Sequence, residues 1–229
     1  MNEPVTPTPP PAATLLAAGL GLRLGGMPKS ALLIDGQSLF ERLVQALQQA
    51  GIDNISAVIG PYAETLLPLA RCSGVRVVHQ PLPDAPLVAS QRLALLDHLK
   101  HRTGRDLMLL VADLPLLTSE HIVPLLKAWR ERPDLINAQV PMVYGVRGHP
   151  VCLSWQAVQA AAQLELGGVR EWILGAREST QVLDAVHEAY TTDLDTADEL
   201  DSLRRRLHPL PVAWPSDLRQ TVAPAQPLV

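Results

Sequence analysis

Residues 16–29 read Leu-Ala-Ala-Gly-Leu-Gly-Leu-Arg-Leu-Gly-Gly-Met-Pro-Lys, and they continue an apolar run that begins at residue 13. A short apolar run that ends in glycines is typical of a buried strand leading into a loop. Glycines allow backbone N–H groups to approach phosphate oxygens, and Arg23 and Lys29 add positive charge. The stretch therefore predicts a strand followed by a phosphate-binding loop.

Two common phosphate-binding loops fit this stretch poorly. A Walker loop has Lys directly after Gly, whereas Met27 and Pro28 separate Gly26 from Lys29. In a dinucleotide-binding G-x-G-x-x-G loop the third glycine would come one residue earlier than Gly25, and the two cations would have no role. An ordinary glycine-rich turn would not require those cations either. A loop that wraps a nucleoside triphosphate accounts for the stretch best.

The rest of the chain alternates between strand-like and helix-like patterns. Alternation of this kind predicts a mostly parallel sheet covered by helices on both faces, which is a three-layer α/β/α sandwich. Ligands of such sheets bind beyond the carboxyl ends of the strands. The predicted strands are 13–18, 55–59, 75–78, 106–111, 139–143, 151–153 and 189–195. The predicted helices begin after Ser38 and at residues 62, 90, 120, 156, 170 and 197.

Length and composition indicate one enzyme-sized domain. The chain has 229 residues, 47% of them hydrophobic, and a net charge of −4, so no basic surplus points to nucleic acid or to an anionic membrane. We expect a disordered lead-in at 1–13, the domain at 14–207 and a Pro-rich tail at 208–229. No apolar run reaches the ~20 residues needed to cross a bilayer, and the lead-in lacks a signal-peptide pattern. These features predict a cytoplasmic protein.

The opening stretch resembles the signature of the sugar-nucleotide and molybdenum-cofactor nucleotidyltransferases, the MobA-like NTP transferase family. The resemblance implies a Rossmann-like nucleotidyltransferase fold. It also implies that the start of the loop faces the base and ribose, and that Gly21, Arg23 and Lys29 face phosphates. Ser90 follows from a weaker match, at the start of a helix. The nucleotide-binding residues implied in this way are Leu16, Ala17, Ala18, Gly19, Gly21, Arg23, Lys29 and Ser90.

Two acidic segments extend the resemblance. Asp113 ends the most apolar predicted strand, and an acid at that position can hold Mg²⁺ beside a phosphate loop. The surrounding residues 112–118, A-D-L-P-L-L-T, match the family's G-D-x-P-L-x-T with only the glycine replaced. The second segment, D-L-D-T-A-D at 193–198, matches the family's D-x-D-T-P-E-D. We expect Mg²⁺ on Asp113 and on one of Asp193 and Asp195, with Asp193 favoured, and catalytic roles for Arg23, Lys29 and Asp113.

Residues 147–150, R-G-H-P, resemble the branch that transfers cytidylyl groups to the molybdenum-pterin cofactor. The resemblance implies Arg147, Gly148, His149 and Arg170 as acceptor-binding residues. It also implies CTP and that cofactor as substrates, and a molybdoenzyme or its chaperone as a protein partner.

Three alternatives stay open. One is GTP, although Ala18 stands where the guanylyl branch usually has Gly. A second is another small phosphate as acceptor. The third is a carrier without turnover, which is favoured by Ala112 and by the absence of a Gly-Asp pair near residue 166.

Overall fold

We analysed a computed structural model, which describes residues 9–164, 167–216 and 218. The main sheet has eight strands in the described residues: β1 (Ala12–Ala17), β4 (Ile55–Ile59), β5 (Arg76–His79), β6 (Leu107–Val111), β7 (Ala138–Val143), β8 (Val146–Arg147), β9 (Val151–Leu153) and β10 (Thr180–Ala185). Their order across the sheet is β10-β7-β9-β6-β1-β4-β5, and β8 pairs with β7. A small second sheet contains β2 (Leu33–Ile34), β3 (Gln37–Ser38) and β11 (Val212–Ala213).

Seven α-helices in the described part of the chain cover the main sheet and its edge. They are α1 (Leu39–Gln49), α2 (Ala63–Cys72), α3 (Leu87–His101), α4 (Ser119–Arg130), α5 (Trp155–Ala162), α6 (Val169–Gly175) and α7 (Ala197–Leu207). Apolar residues of α1, α2 and α4 form one core on the sheet, and those of α3, α5 and α6 form another. The predicted three-layer sandwich with a mostly parallel sheet is confirmed.

Strand β1 lies inside the main sheet, between β6 and β4, and all six of its residues are buried. It pairs in parallel with β4 on one side and β6 on the other, and both of those strands are also short apolar runs. A strand buried on both faces reads as a continuous apolar segment, which is why these three strands are evident in the sequence. Their carboxyl ends meet at one edge, where the loops after Ala17, Ile59 and Val111 begin.

The last predicted strand is wrong. Residues 189–195 form no strand. A short 3-10 turn spans Glu188–Tyr190, and residues 191–195 continue as a loop. Tyr190 and Leu194 belong to this part of the chain and are buried, and each packs into a different hydrophobic core. The true edge strand is β10, which pairs in parallel with β7 and has one partly exposed face. An edge strand that carries polar residues gives no continuous apolar signal.

The boundaries of the domain also differ from the prediction. Strand β1 begins at Ala12, inside the expected lead-in; residues 1–8 lie outside the described part. At the other end, β11 pairs with β2, so the start of the expected tail belongs to the fold. The helix expected from 156 to 166 ends at Ala162, and residues 165–166 are not described. None of the described helices is both long and apolar enough to cross a membrane.

Candidate active site

A cleft of about 510 Å³ opens at the carboxyl edge of the central strands. Twelve of the residues predicted to bind nucleotide, metal or acceptor line it. They are Leu16, Ala17, Ala18, Gly19, Arg23, Lys29, Ser90, Asp113, Arg147, Gly148, His149 and Asp193. Segments far apart in sequence therefore meet at one site, because β1, β6 and the β7–β9 region lie side by side in the sheet.

The glycine-rich loop after β1 has a compact conformation of its own. Gly21, Gly25 and Gly26 all have positive φ, at 58°, 72° and 73°, and Gly26 N donates to Gly21 O at 3.0 Å. A Cβ on Gly21 would lie 2.1 Å from the carbonyl oxygen of Met27. Gly21 does not line the cleft, so its glycine is explained by the folding of the loop rather than by a close approach to phosphate.

Two cations of this loop meet acidic side chains. Lys29 Nζ donates to Asp113 Oδ2 at 2.9 Å and also contacts Asp195. The guanidinium of Arg23 pairs with Asp195 as well. Burial opposes the charge on Lys29, but Asp113 and Asp195 outweigh it, so the pKa of Lys29 is raised. Burial would raise the pKa of Asp195, but Lys29 and Arg23 outweigh burial and lower it. This edge of the cleft is therefore a network of fixed charges.

Asp113 enters this network only through Oδ2, and Asp193 forms no ion pair within the described residues. Burial raises the pKa of Asp113, and the nearby charge of Asp195 adds to this. Its Oδ1 atom is buried and has no hydrogen-bond partner among the described residues. Burial, and then repulsion from Asp113 and Asp195, raises the pKa of Asp193. Within the described ranges no three His, Cys, Asp or Glu side chains converge as a complete metal site.

The loop at 147–150 forms another wall of the cleft, and the backbone holds it in place. Gly148 N donates to Pro141 O and His149 N donates to Tyr190 O, both at 2.8 Å. A Cβ on Gly148 would lie 2.3 Å from Tyr190 O. Burial lowers the pKa of His149, and its Nδ1 atom has no hydrogen-bond partner among the described residues. The imidazole is thus neutral near pH 7 and has a free nitrogen atom.

Arg170 lies outside the cleft. It is exposed on α6, whose first turn is fixed to α3: Val169 N donates to Gln91 Oε1 at 3.1 Å. A Cβ on the neighbouring Gly168 would lie 2.2 Å from the same oxygen, so the Gln91 side chain would have to move. The Gly-x-Arg match at 168–170 therefore reflects the packing of two helices, and the geometry gives no support to Arg170 as an acceptor ligand.

Several cleft residues were not predicted from the sequence. Tyr62, Tyr190 and Thr191 line the cleft, and Asp195, weighed only as an alternative metal ligand, does so too. Gln80 is buried and donates to Ser90 Oγ at 3.3 Å, which fixes the one residue of α3 predicted to contact nucleotide. The signal for Gln80 in the sequence was its position directly after β5. Tyr62 follows β4 at the same edge and could have been found by its position.

The comparisons with known proteins agree with this geometry. The family model of the MobA-like NTP transferase domain matches residues 13–182. The chain belongs to this family. It is a nucleotidyltransferase, and the match includes the loop after β1, Asp113 and the Arg-Gly-His-Pro loop. Among curated proteins, the bifunctional protein GlmU of Syntrophomonas wolfei is 28% identical over 145 residues. That match covers 58% of this chain and 30% of GlmU, so the chain spans about a third of this relative.

Solved structures share the fold. Rv0371c from Mycobacterium tuberculosis superposes with a TM-score of 0.69 at 22% identity, covering 88% of this chain and 98% of that chain. A second structure of that protein, in complex with manganese, gives a TM-score of 0.62 at 20% identity and covers 87% of this chain and 98% of that chain. A nucleotidyl transferase from Methanothermobacter has a TM-score of 0.69 at 20% identity, covering 86% of this chain and 96% of the other.

Proposed function

We propose that this nucleotidyltransferase transfers CMP from CTP to a terminal phosphate of the molybdenum-pterin cofactor and releases pyrophosphate. The observation that carries the proposal is the composition of the cleft. One wall has the loop cations and the acidic residues, and the other wall has the Arg-Gly-His-Pro loop that resembles the cytidylyl branch. The first wall suits a triphosphate, and the second suits a phosphorylated acceptor.

On the nucleotide side, Arg23 and Lys29 bind the β- and γ-phosphates. Both pair with Asp195, so a bound triphosphate would compete with that carboxylate for the two cations. A phosphate oxygen of the acceptor attacks the α-phosphorus, and the bond to the bridging oxygen of pyrophosphate breaks. Lys29 stabilises the charge that develops on this leaving group, and no covalent intermediate with the protein is required.

The acidic edge suits a divalent cation, with Mg²⁺ as our proposal. Asp113 and Asp193 would hold it, since Asp113 has an unpaired buried oxygen and Asp193 is destabilised by neighbouring acids. Asp195 is a weaker candidate because Lys29 and Arg23 already compensate its charge. Two carboxylates are enough, because Mg²⁺ usually takes its other ligands from phosphates and water. When bound, the ion neutralises charge on the phosphates. The manganese complex of Rv0371c supports a divalent cation in this fold.

On the acceptor side, Arg147 offers a bidentate contact for the acceptor's phosphate. His149 offers a neutral imidazole with an unpaired Nδ1 to the pterin or to a phosphate oxygen. The preference for CTP rests on Ala18, which lines the cleft and carries a methyl group where the guanylyl branch usually has Gly. A cytosine requires less space there than a guanine. We also propose that the product passes to a molybdoenzyme or its chaperone.

Labelled CTP and GTP, incubated with Mg²⁺ and purified molybdenum-pterin cofactor, test the proposal directly. We expect release of pyrophosphate with CTP and at least tenfold less with GTP. Turnover only with GTP would reassign the base, and turnover only with a different phosphorylated acceptor would refute the cofactor assignment. Binding of the pterin without any release of pyrophosphate would favour a carrier. Ala18→Gly is the matched variant, and it should narrow the difference between the two nucleotides.

A further inference from the structure

The segment that follows β4, residues 60–62, packs against the glycine-rich loop at several points. Tyr62 Oη donates to Leu20 O at 2.7 Å and also contacts Gly26 O. These two carbonyls belong to opposite sides of the loop. At the start of the loop Gly60 faces Ala18 so closely that an added Cβ would lie 3.0 Å from Ala18 Cβ. A single side chain therefore bridges the two arms of the loop.

We propose that Tyr62 is a positioning residue for nucleotidyl transfer, which sets the opening of the glycine-rich loop and thereby aligns Arg23 and Lys29 with the triphosphate. The proposal rests on the nucleotidyltransferase activity of the family and not on the identity of the base or acceptor. Tyr62 also lines the cleft, so its ring lies where the loop and the nucleotide meet.

Three backbone hydrogen bonds fold residues 21–26, and the tie to Tyr62 adds a restraint from outside the loop. Its three glycines at positive φ have many accessible conformations when they are unrestrained. Within the loop, Gly26 N donates to Gly21 O and Leu24 N donates to the same oxygen, so these bonds converge on Gly21. The hydroxyl of Tyr62 is the contact that joins the loop to the rigid end of β4.

The anchor of Tyr62 is firm. Its ring packs against the core formed by α1, α2 and α4, and it directly precedes α2. Burial raises the pKa of the Tyr62 hydroxyl, which keeps it a donor at neutral and mildly alkaline pH. The hydroxyl has one proton and two carbonyl oxygens within reach, so it can follow a small movement of the loop without losing its bond.

Equilibrium binding of the four common nucleoside triphosphates, in Mg²⁺, to the full chain and to Tyr62→Phe tests the proposal. For the tightest-binding triphosphate we expect a five- to tenfold rise in Kd, about what one hydrogen bond contributes. The corresponding monophosphate should change less than twofold, because it does not reach the β and γ positions. Tyr144→Phe is the matched control, because Tyr144 is exposed at the tip of the β7–β8 hairpin. The nucleotide Kd values of this variant should equal those of the unsubstituted protein.

Hydrogen exchange of the free protein gives a second readout. In Tyr62→Phe the amides of residues 20–29 should exchange several-fold faster, while those of β1 and β6 keep their protection. Unchanged triphosphate affinity would overturn the proposal, as would equal weakening of triphosphate and monophosphate. Faster exchange across the whole sheet would also overturn it, since that result would indicate general destabilisation. None of these results depends on whether CTP or the pterin is the true substrate.

Discussion

The two loops that line the cleft are held in place by different kinds of contact. Side chains hold the glycine-rich loop after β1: Lys29 and Arg23 bind acids, and Tyr62 binds loop carbonyls. Backbone hydrogen bonds hold the Arg-Gly-His-Pro loop, and Gly148 has no room for a Cβ. A charged ligand can replace one partner of an ion pair. It cannot replace a backbone hydrogen bond in a loop that has no room to move. By the roles proposed above, the loop with Arg23 and Lys29 is the nucleotide wall and the 147–150 loop is the acceptor wall. The contacts of the first can respond to a charged ligand, and the second is preformed.

Asp113→Asn should have the largest effect, because it changes two contacts of the nucleotide wall at once. It removes the charge that would hold Mg²⁺ and the partner of Lys29. We expect turnover to fall by about 10²–10³-fold, the usual loss when one preorganised electrostatic contact is removed. The thermal unfolding midpoint should change little, since the amide keeps the shape of the carboxylate. Pyrophosphate release, measured beside a melting curve, checks this. Unimpaired turnover would contradict the metal assignment.

Gly148→Ala tests whether the acceptor wall is preformed. The new methyl group would meet the carbonyl of Tyr190, so that the loop or the 190–195 segment must shift. We expect a loss of about 1–3 kcal/mol in the free energy of unfolding, as for other overpacked sites. The KM for the acceptor should rise while the Kd of CTP stays within twofold. Gly145→Ala is a useful control for the same hairpin, because nothing lies within 4 Å of its added Cβ; its positive φ still makes it mildly destabilising.

Lys29→Ala and His149→Ala should each weaken the use of a different substrate. Loss of Lys29 should weaken CTP binding by about 1.5–3 kcal/mol, the range for a charge-assisted hydrogen bond, and weaken CMP binding less. Loss of His149 should raise the KM for the acceptor or lower kcat without changing CTP affinity. Separate titrations of each substrate decide between these outcomes. If both variants weaken both substrates equally, the two walls do not act independently.

The smallest effect should be the contribution of His149 to the pH dependence of stability. Burial places the pKa of His149 below its unfolded value of ~6.5. Its stabilising contribution is therefore complete above pH 6.5 and is lost as the pH falls through the lower folded-state pKa. Urea unfolding between pH 7.5 and 5 should show a steeper loss for the wild type than for His149→Gln. Parallel curves for the two proteins would contradict a neutral, buried imidazole.

The comparison of the two walls also shows where sequence reasoning succeeds. The nucleotide wall follows from contiguous motifs: residues 16–29 give the strand and the loop, and the run ending at Val111 places Asp113 beside them. Parallel strands buried on both faces have a strong apolar signal, and their carboxyl ends must share an edge. Seven predicted residues of these two segments line the cleft for this reason, although their chemical roles await the experiments above: Leu16, Ala17, Ala18, Gly19, Arg23, Lys29 and Asp113.

On the acceptor wall the same reasoning was less successful. The edge strand β10 was missed and a strand was assigned to residues 189–195, because Tyr190 and Leu194 are as apolar as strand residues while serving as anchors of a loop. Arg170 matched a family motif but lies on the exposed face of α6. An apolar residue in the sequence indicates burial, and it does not indicate whether a strand or a loop buries it.

The sequence by itself determined the layered architecture, the position of the phosphate loop and the strand that delivers Asp113, since periodicity and glycine placement act over a few residues. Only the tertiary structure decided which charges meet. It pairs Asp195 with Arg23 and Lys29, and it brings Tyr62 across to the carbonyls of the loop. It also leaves Asp113 Oδ1 with no hydrogen-bond partner among the described residues. These contacts join residues 36 to 172 positions apart. Their existence depends on how the strands are ordered in the sheet, which local patterns do not encode.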